Sequence, residues 1–397
     1  MSGVVLDSGG GGRRKRGNRT GWSTGACAAA AAAAAARGLE AGAVPETIEI
    51  LLPEGRRPSF EIVEGRLIRS GEEVGSGALA AVIKDAGDDP DATHGARIVA
   101  TVMRLPDAPG EVRLLGGEGV GRVTRAGLGL TVGEAAINPG PRGYITDNVR
   151  TAAPTRLSRE GLEVTISVPD GERIAKRTLN ARLGILGGIS ILGTTGVVYP
   201  YSTASFKATI RQGIQVALAQ GQDTVVLTTG RRTERHCMTR YPALAEVCFV
   251  QMGDFVGAAL DAAREAGLKR VVIGAMVGKL TKIAQGLKIT HARKAEVDMH
   301  LLARLVADAG GDPALCARVL EGDTARWAAE LVADAGLTDA FHDALTRAVA
   351  AVVAKGLAEG TLVEVLAWGP EGELLAEQTV PKRCASLSFG TPNRGVF

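Results

Sequence analysis

Three glycine-bearing segments carry the residues best suited to chemistry in this chain. Gly193, Thr194, Thr195 and Gly196 follow the apolar run Ile189–Leu192. Thr229, Gly230, Arg231 and Arg232 follow a second run that starts at Thr224, and Gly278 and Lys279 follow a third at 270–274. Glycine amides and threonine hydroxyls suit a polar, nucleoside-bearing ligand, and arginine forks suit carboxylates. Asp254, ahead of a helix-length stretch, can hold a ribose, take a proton, or simply begin that helix. Ser23 and Thr24 precede an alanine run that ends at Ala36. Their hydroxyls can cap a helix, and the same helix start can face a carboxylate or phosphate. The sequence leaves both readings open. Arg142, in the proline-rich stretch Asn138–Tyr144 read as a loop, can also meet an anion.

Other chemistries find little support. No nucleophile elbow with a Ser/His/Asp order and no zinc-ligand spacing is present. The stretch GLGLTVG at 127–133 has one residue too many for a dinucleotide fingerprint, and no helix pattern follows it. In GAMVGK at 274–279, Leu280 stands where a Mg²⁺-binding hydroxyl would follow in a phosphate loop. Asp85, Asp88, Asp89 and Asp91 crowd one segment. Such a density can supply oxygens to Ca²⁺ or Mg²⁺, but the EF-hand order is missing and aspartates are common in turns. No metal site is assigned, and His94 reads as a hydrogen-bonded loop residue. Five cysteines without a CxxC fit reduced thiols in a cytoplasmic protein.

Positioning these residues requires two domains, since 397 residues exceed one ordinary core. Hydrophobic residues at 45% and charged residues at 22% describe a globular chain, and a net charge of +3 argues for neither nucleic acid nor membrane. Residues 1–18 read as a disordered leader. Residues 19–185 read as a strand-rich α+β domain, with strands at 97–103, 119–124 and 162–168 and a hairpin over 47–63. From 186 to 397 strands at 189–192, 224–228 and 270–274 alternate with helices near 203–219, 254–266 and 280–307. Two helices over 324–358 and a hairpin over 361–377 follow. That alternation predicts a Rossmann-like α/β domain with a parallel sheet, its three glycine mouths on one rim.

Several motifs carry a resemblance: RTGWSTGACAAAA at 19–31, AVIKDAGDDPDATHG at 81–95, AINPGPR at 136–142, GGISILGTTG at 187–196, GDFVG at 253–257, and the segment 278–291. In this order they resemble the cobalt-precorrin-5B C1-methyltransferase family of corrinoid (cobalamin) biosynthesis. Trp22 replaces an aromatic of another type, and Gly140 stands where a larger residue is expected in NPxPR. The resemblance implies methyl transfer from S-adenosylmethionine to ring carbon C1 of a tetrapyrrole whose cobalt arrives with the substrate. With those ligands, the donor is expected at Gly193, Thr194, Thr195, Gly196, Thr229, Gly230 and Asp254, in a pocket where the two domains meet. The ring's carboxylates are expected at Ser23, Thr24, Arg142, Arg231, Arg232 and Lys279, and Asp254 and His291 are candidate bases. An NAD(P)-dependent oxidoreductase and a non-catalytic tetrapyrrole carrier of the same pathway are the alternatives. Oligomeric state, a homo-oligomer included, is left open.

Overall fold

The structure, a computed structural model, describes residues 17–70, 73–291 and 296–381. Residues 1–16 of the expected leader lie outside the described residues. The chain divides into two compact units, 1–212 and 213–397, so the division falls within the helix Thr203–Ala219 and not at the expected 185/186.

The first unit is built around α1 (Thr24–Ala41). Ser23 starts it, its Oγ accepting the Ala26 amide at 3.1 Å, and Gly42 ends it in the left-handed conformation, φ 83°. Alanine favours the helix and adds no bulk. Residues 24–36 are accordingly buried without exception, and α1 packs against strands and a helix at close range. The sheet comprises β1 (Glu64–Ser70), β2 (Glu73–Ile83), β3 (Arg97–Leu105), β4 (Val112–Gly116) and, after helix α2 (Pro139–Ala152), β5 (Gly161–Ser167). Its order is β1-β2-β3-β5-β4, antiparallel except for the parallel pair β4–β5. The hairpin expected over 47–63 is present as Thr47–Glu49 paired with Ser59–Glu61. Asn138–Tyr144 is not a loop: Pro139 opens α2, since a first-turn proline lacks only an amide the helix does not use.

The second unit holds β6 (Thr224–Thr228), α3 (Arg231–Arg240), β7 (Phe249–Gln251), α4 (Val256–Glu265), β8 (Arg270–Met276) and α5 (Val277–Ala284), then α6 (Thr338–Gly356), β9 (Leu362–Trp368) and β10 (Leu374–Pro381). The sheet order is β7-β6-β8-β9-β10, with β7, β6, β8 and β9 parallel and β10 antiparallel at the edge. The closing hairpin thus joins the sheet through β9. The long helix expected over 280–307 is two, α5 and Met299–Asp308, the second capped by Asp298 on the Leu301 amide at 3.0 Å.

Ile189–Leu192 is not a strand of this parallel sheet. It stays in the first unit and makes isolated parallel bridges, Ile189 with Val120 and Ile191 with Ile137. A four-residue apolar run does not encode its partner. Gly188 helps select it here, because a Cβ there would overlap the Gly119 backbone.

Candidate functional site

Within the first unit, Gly193, Thr194 and Thr195 line a cavity of about 220 Å³ together with Ser23, Thr24 and the pair Lys84–Asp91. The start of α1 is tied to this wall. Thr24 Oγ1 donates to the Ser190 carbonyl at 3.1 Å and accepts the Leu192 amide at 2.9 Å. The Gly25 amide reaches Leu192 O at 3.0 Å, and the Ser23 amide reaches Gly196 O at 2.9 Å. The Gly25, Ala26 and Cys27 amides of the first turn are therefore spent on the protein itself. Gly193 takes φ 120° and Gly196 φ 80°, and a Cβ at Gly193 would overlap Ser23. Tyr144 Oη closes the arrangement on Gly193 O at 2.9 Å, and burial pushes that phenol well above its usual range.

Lys84 and Asp91 form a buried ion pair, Nζ to Oδ2 at 2.7 Å, each side chain 1% exposed. The other Asp91 oxygen accepts the Thr93 amide and hydroxyl, both at 2.7 Å. The remaining aspartates of this segment are also engaged. Asp85 accepts Arg19 Nη2 at 3.0 Å, a bond that holds its carboxyl down at about 2. Asp88 accepts the Arg19 amide at 2.8 Å, and Asp89 the Tyr201 amide at 2.9 Å. The acidic run thus fastens loops. His94 Nδ1 accepts the Ala86 amide at 3.1 Å, as a loop residue would. Cys27 is fully buried, which pushes its thiol up to about 12.

In the second unit, Thr228 and Gln251 are register partners at the carboxyl ends of β6 and β7. Thr228 Oγ1 and Gln251 Oε1 are buried and lack a hydrogen-bond partner among the described residues. Thr229 follows, its amide 3.4 Å from Gly274 O on β8, and the amides of Met252 and Gly253 both point to Thr228 O. Gly274 is needed here because a Cβ would overlap the Cys237 thiol. Cys237 accepts Trp368 Nε1 at 3.3 Å and is buried, which pushes its thiol up to about 12, while His236 stacks on Trp368 at 5.3 Å. The neighbouring His236 and Cys237 therefore serve packing.

Asp254 forms an ion pair with Lys279, whose Nζ also reaches Thr290 O at 3.1 Å. Thr290 donates its amide to Asp254 O at 2.9 Å, with its hydroxyl 3.3 Å from Asp254 Oδ1. His291 follows directly in the chain, next to the Thr290 that joins Asp254 and Lys279. Arg231 and Arg232 are exposed on the first turn of α3, beside Thr229 and Gly230. Arg142 instead lies on α2 in the first unit, donating to Ile137 O at 3.1 Å and Glu134 at 3.4 Å. The sequence-derived donor set is divided: 193–196 belong to the first unit, and Thr229, Gly230 and Asp254 to the second.

Sequence reasoning missed Lys84, Gln251 and Thr290. A signal for Lys84 existed, because Ala78, Ala80, Val82 and Lys84 alternate onto one buried face. Lysine's usual exposure hid it. Among the described residues no helix is long and apolar enough to cross a membrane.

Two family models match this chain, CbiD over residues 12–200 and the CbiD C-terminal domain over 289–379. The cobalt-precorrin-5B C(1)-methyltransferase of Polaromonas sp. is 54% identical over 364 residues, covering 91% of this chain and 98% of its own. That of Dechloromonas aromatica is 56% identical over 333 residues, 84% of each chain. A crystal structure of a cobalamin biosynthesis protein (cbiD) from Archaeoglobus fulgidus is 29% identical, covering 67% of this chain and 79% of its own, with a TM-score of 0.37. The chain belongs to the CbiD family, whose curated members named here are cobalt-precorrin-5B C(1)-methyltransferases.

Proposed function

We propose that this protein transfers the methyl group of S-adenosylmethionine to ring carbon C1 of cobalt-precorrin-5B, giving cobalt-precorrin-6A and S-adenosylhomocysteine. The observation that carries this reading is the 54% identity that runs through 91% of the chain and 98% of the Polaromonas enzyme. A match of that extent reaches into both compact units.

The second unit's sheet is read as Rossmann-like, with its order reversing between β6 and β8, where such sheets receive ligands at the carboxyl ends of strands. The residues there fit an adenosyl group. Thr228 Oγ1 and Gln251 Oε1 offer a donor and an acceptor that the protein leaves unpaired, and buried polar groups are costly without partners. Thr229 and Gly230 supply backbone at the same edge, and Asp254 stands after β7. The donor supplies an electrophilic methyl group on a sulfonium; the protein's part is to orient it and exclude water. Arg231, Arg232 and Lys279 are assigned to ring carboxylates, with Lys279 held by Asp254 and Thr290. For a proton leaving the ring, Asp254 and His291 are the proposed acceptors, linked by Thr290. In the first unit, Ser23, Thr24 and Gly193–Thr195 line the cavity, and Arg142 lies on α2.

Incubation with cobalt-precorrin-5B and S-adenosylmethionine, followed by mass spectrometry, tests the reading. One methylene of added mass on the ring, with one equivalent of S-adenosylhomocysteine, is expected. A ring changed by hydrogen transfer would favour the oxidoreductase alternative, and an unchanged ring bound to the protein would favour a carrier.

A further inference from the structure

We propose that the cavity of the first unit is a carboxylate subsite whose anchor is the ammonium of Lys84. A lysine ammonium carries three N–H donors. Asp91 Oδ2, at 2.7 Å, is the one hydrogen-bond partner of Lys84 among the described residues, which leaves two donors uncommitted. The side chain is 1% exposed and nevertheless forms part of the cavity wall. Uncommitted donors on a buried cation are expensive unless a ligand completes them.

The arrangement around Lys84 holds it in place. Asp91 fixes the ammonium with one oxygen and is itself held through the other by the Thr93 amide and hydroxyl. Lys84 and Asp91 are the only charged side chains of the described wall; its other polar side chains are hydroxyls and Asn180, beside the aliphatic Ile189, Leu192, Val197 and Val198. Cys27 cannot act as an internal counter-ion, because burial keeps its thiol neutral. A cationic ligand group would meet Lys84 unfavourably, and a primary amide brings one acceptor oxygen for two donors. A carboxylate brings two oxygens for the two donors that Asp91 leaves. The cavity, at about 220 Å³, is below the ~300–1,000 Å³ of sites that enclose drug-sized ligands, so it takes an acid arm and not a ring.

Two ligands of the proposed reaction carry such an arm: the macrocycle, through its acid side chains, and the donor, through its methionine end. The carboxylate chemistry stands by itself; only the identity of its carrier rests on the proposed function. The first measurement therefore uses propionate against the isosteric propionamide, at constant ionic strength, on the full-length protein. Propionate should raise the melting temperature and propionamide should not, and Lys84→Met/Asp91→Asn should abolish the difference. The double substitution removes both buried charges together and keeps an acceptor for Thr93. Equal effects of the two probes on the wild-type protein would overturn the subsite, whether or not the variants fold.

Titration calorimetry with S-adenosylhomocysteine and with cobyrinic acid then identifies the carrier. The ligand whose acid arm enters the cavity should lose about tenfold to hundredfold in affinity in the double variant, the range of a charge-assisted hydrogen bond. The other should bind unchanged. Undiminished binding of both to the folded variant would also overturn the subsite. Failure of both to bind the wild-type protein would count against the proposed function alone, because the propionate comparison still decides the subsite.

Discussion

At Thr228 a hydroxyl is 0% exposed and unpaired, an arrangement that folding alone does not reward. If it meets the donor, Thr228→Val should weaken S-adenosylhomocysteine about threefold to tenfold, the worth of one neutral hydrogen bond, and leave the melting temperature equal or higher. Calorimetry and a thermal melt of the same variant check both halves. Gly25 is constrained differently: a Cβ there would overlap the Tyr144 hydroxyl and approach Leu192 O at 3.1 Å. Gly25→Ala should cost on the order of 1–3 kcal/mol, as overpacking does. In Gly25→Ala/Tyr144→Phe part of that cost should return, and urea unfolding of the four-member cycle measures the coupling. Additive penalties would show that the hydroxyl is not what resists the methyl group. These residue roles were only partly legible in the sequence. Ser23 as a helix cap was open to reading from its type and position. The partner that Lys84 finds seven residues on at Asp91 was not, because a turn must first fold the segment back.

α6 illustrates how an element's burial sets a pH response. His342 is 3% exposed; its Nδ1 donates to Thr338 O at 2.7 Å, and its Nε2 is buried without a partner among the described residues. Burial lowers its pKa from the usual value of 6.5, against the raising influence of Thr338, Asp339, Asp343 and Glu373. A depressed folded-state value means that the unfolded chain binds the proton first. Its contribution is therefore fully present above about pH 6.5 and is lost as pH falls towards the folded value. Urea unfolding between pH 7.5 and 5 should show falling stability, and His342→Leu should flatten that limb. An unchanged slope would remove His342 as the cause. The strongly periodic elements of this unit, such as 224–228, followed from sequence with little shift. β7 is three residues long and lies below what a pattern can signal. Asn138–Tyr144 was misread as a loop because two prolines mask a helix start that tolerates them.

For the whole molecule, the sequence conveyed an α/β chain of two units and its family, but not where the segment 187–200 belongs. Its grammar of apolar run and glycine loop matches that of 224–231, yet the partners that decide its sheet lie far away at Val120 and Ile137. The consequence is a divided donor assignment, which hydrogen exchange can settle on the intact protein. S-adenosylhomocysteine should slow exchange at 228–231 and 251–254 if the second unit's sheet edge holds the donor. Protection confined to 190–196 would move the donor to the first unit's cavity. The most direct test of the account follows the methyl group itself. Cobalt-precorrin-5B and S-adenosylmethionine labelled with ¹³C at the methyl group are incubated with the protein, and the ring is analysed by NMR. The account predicts one labelled methyl on quaternary carbon C1, whereas label on another ring atom, or none on the ring, would contradict it.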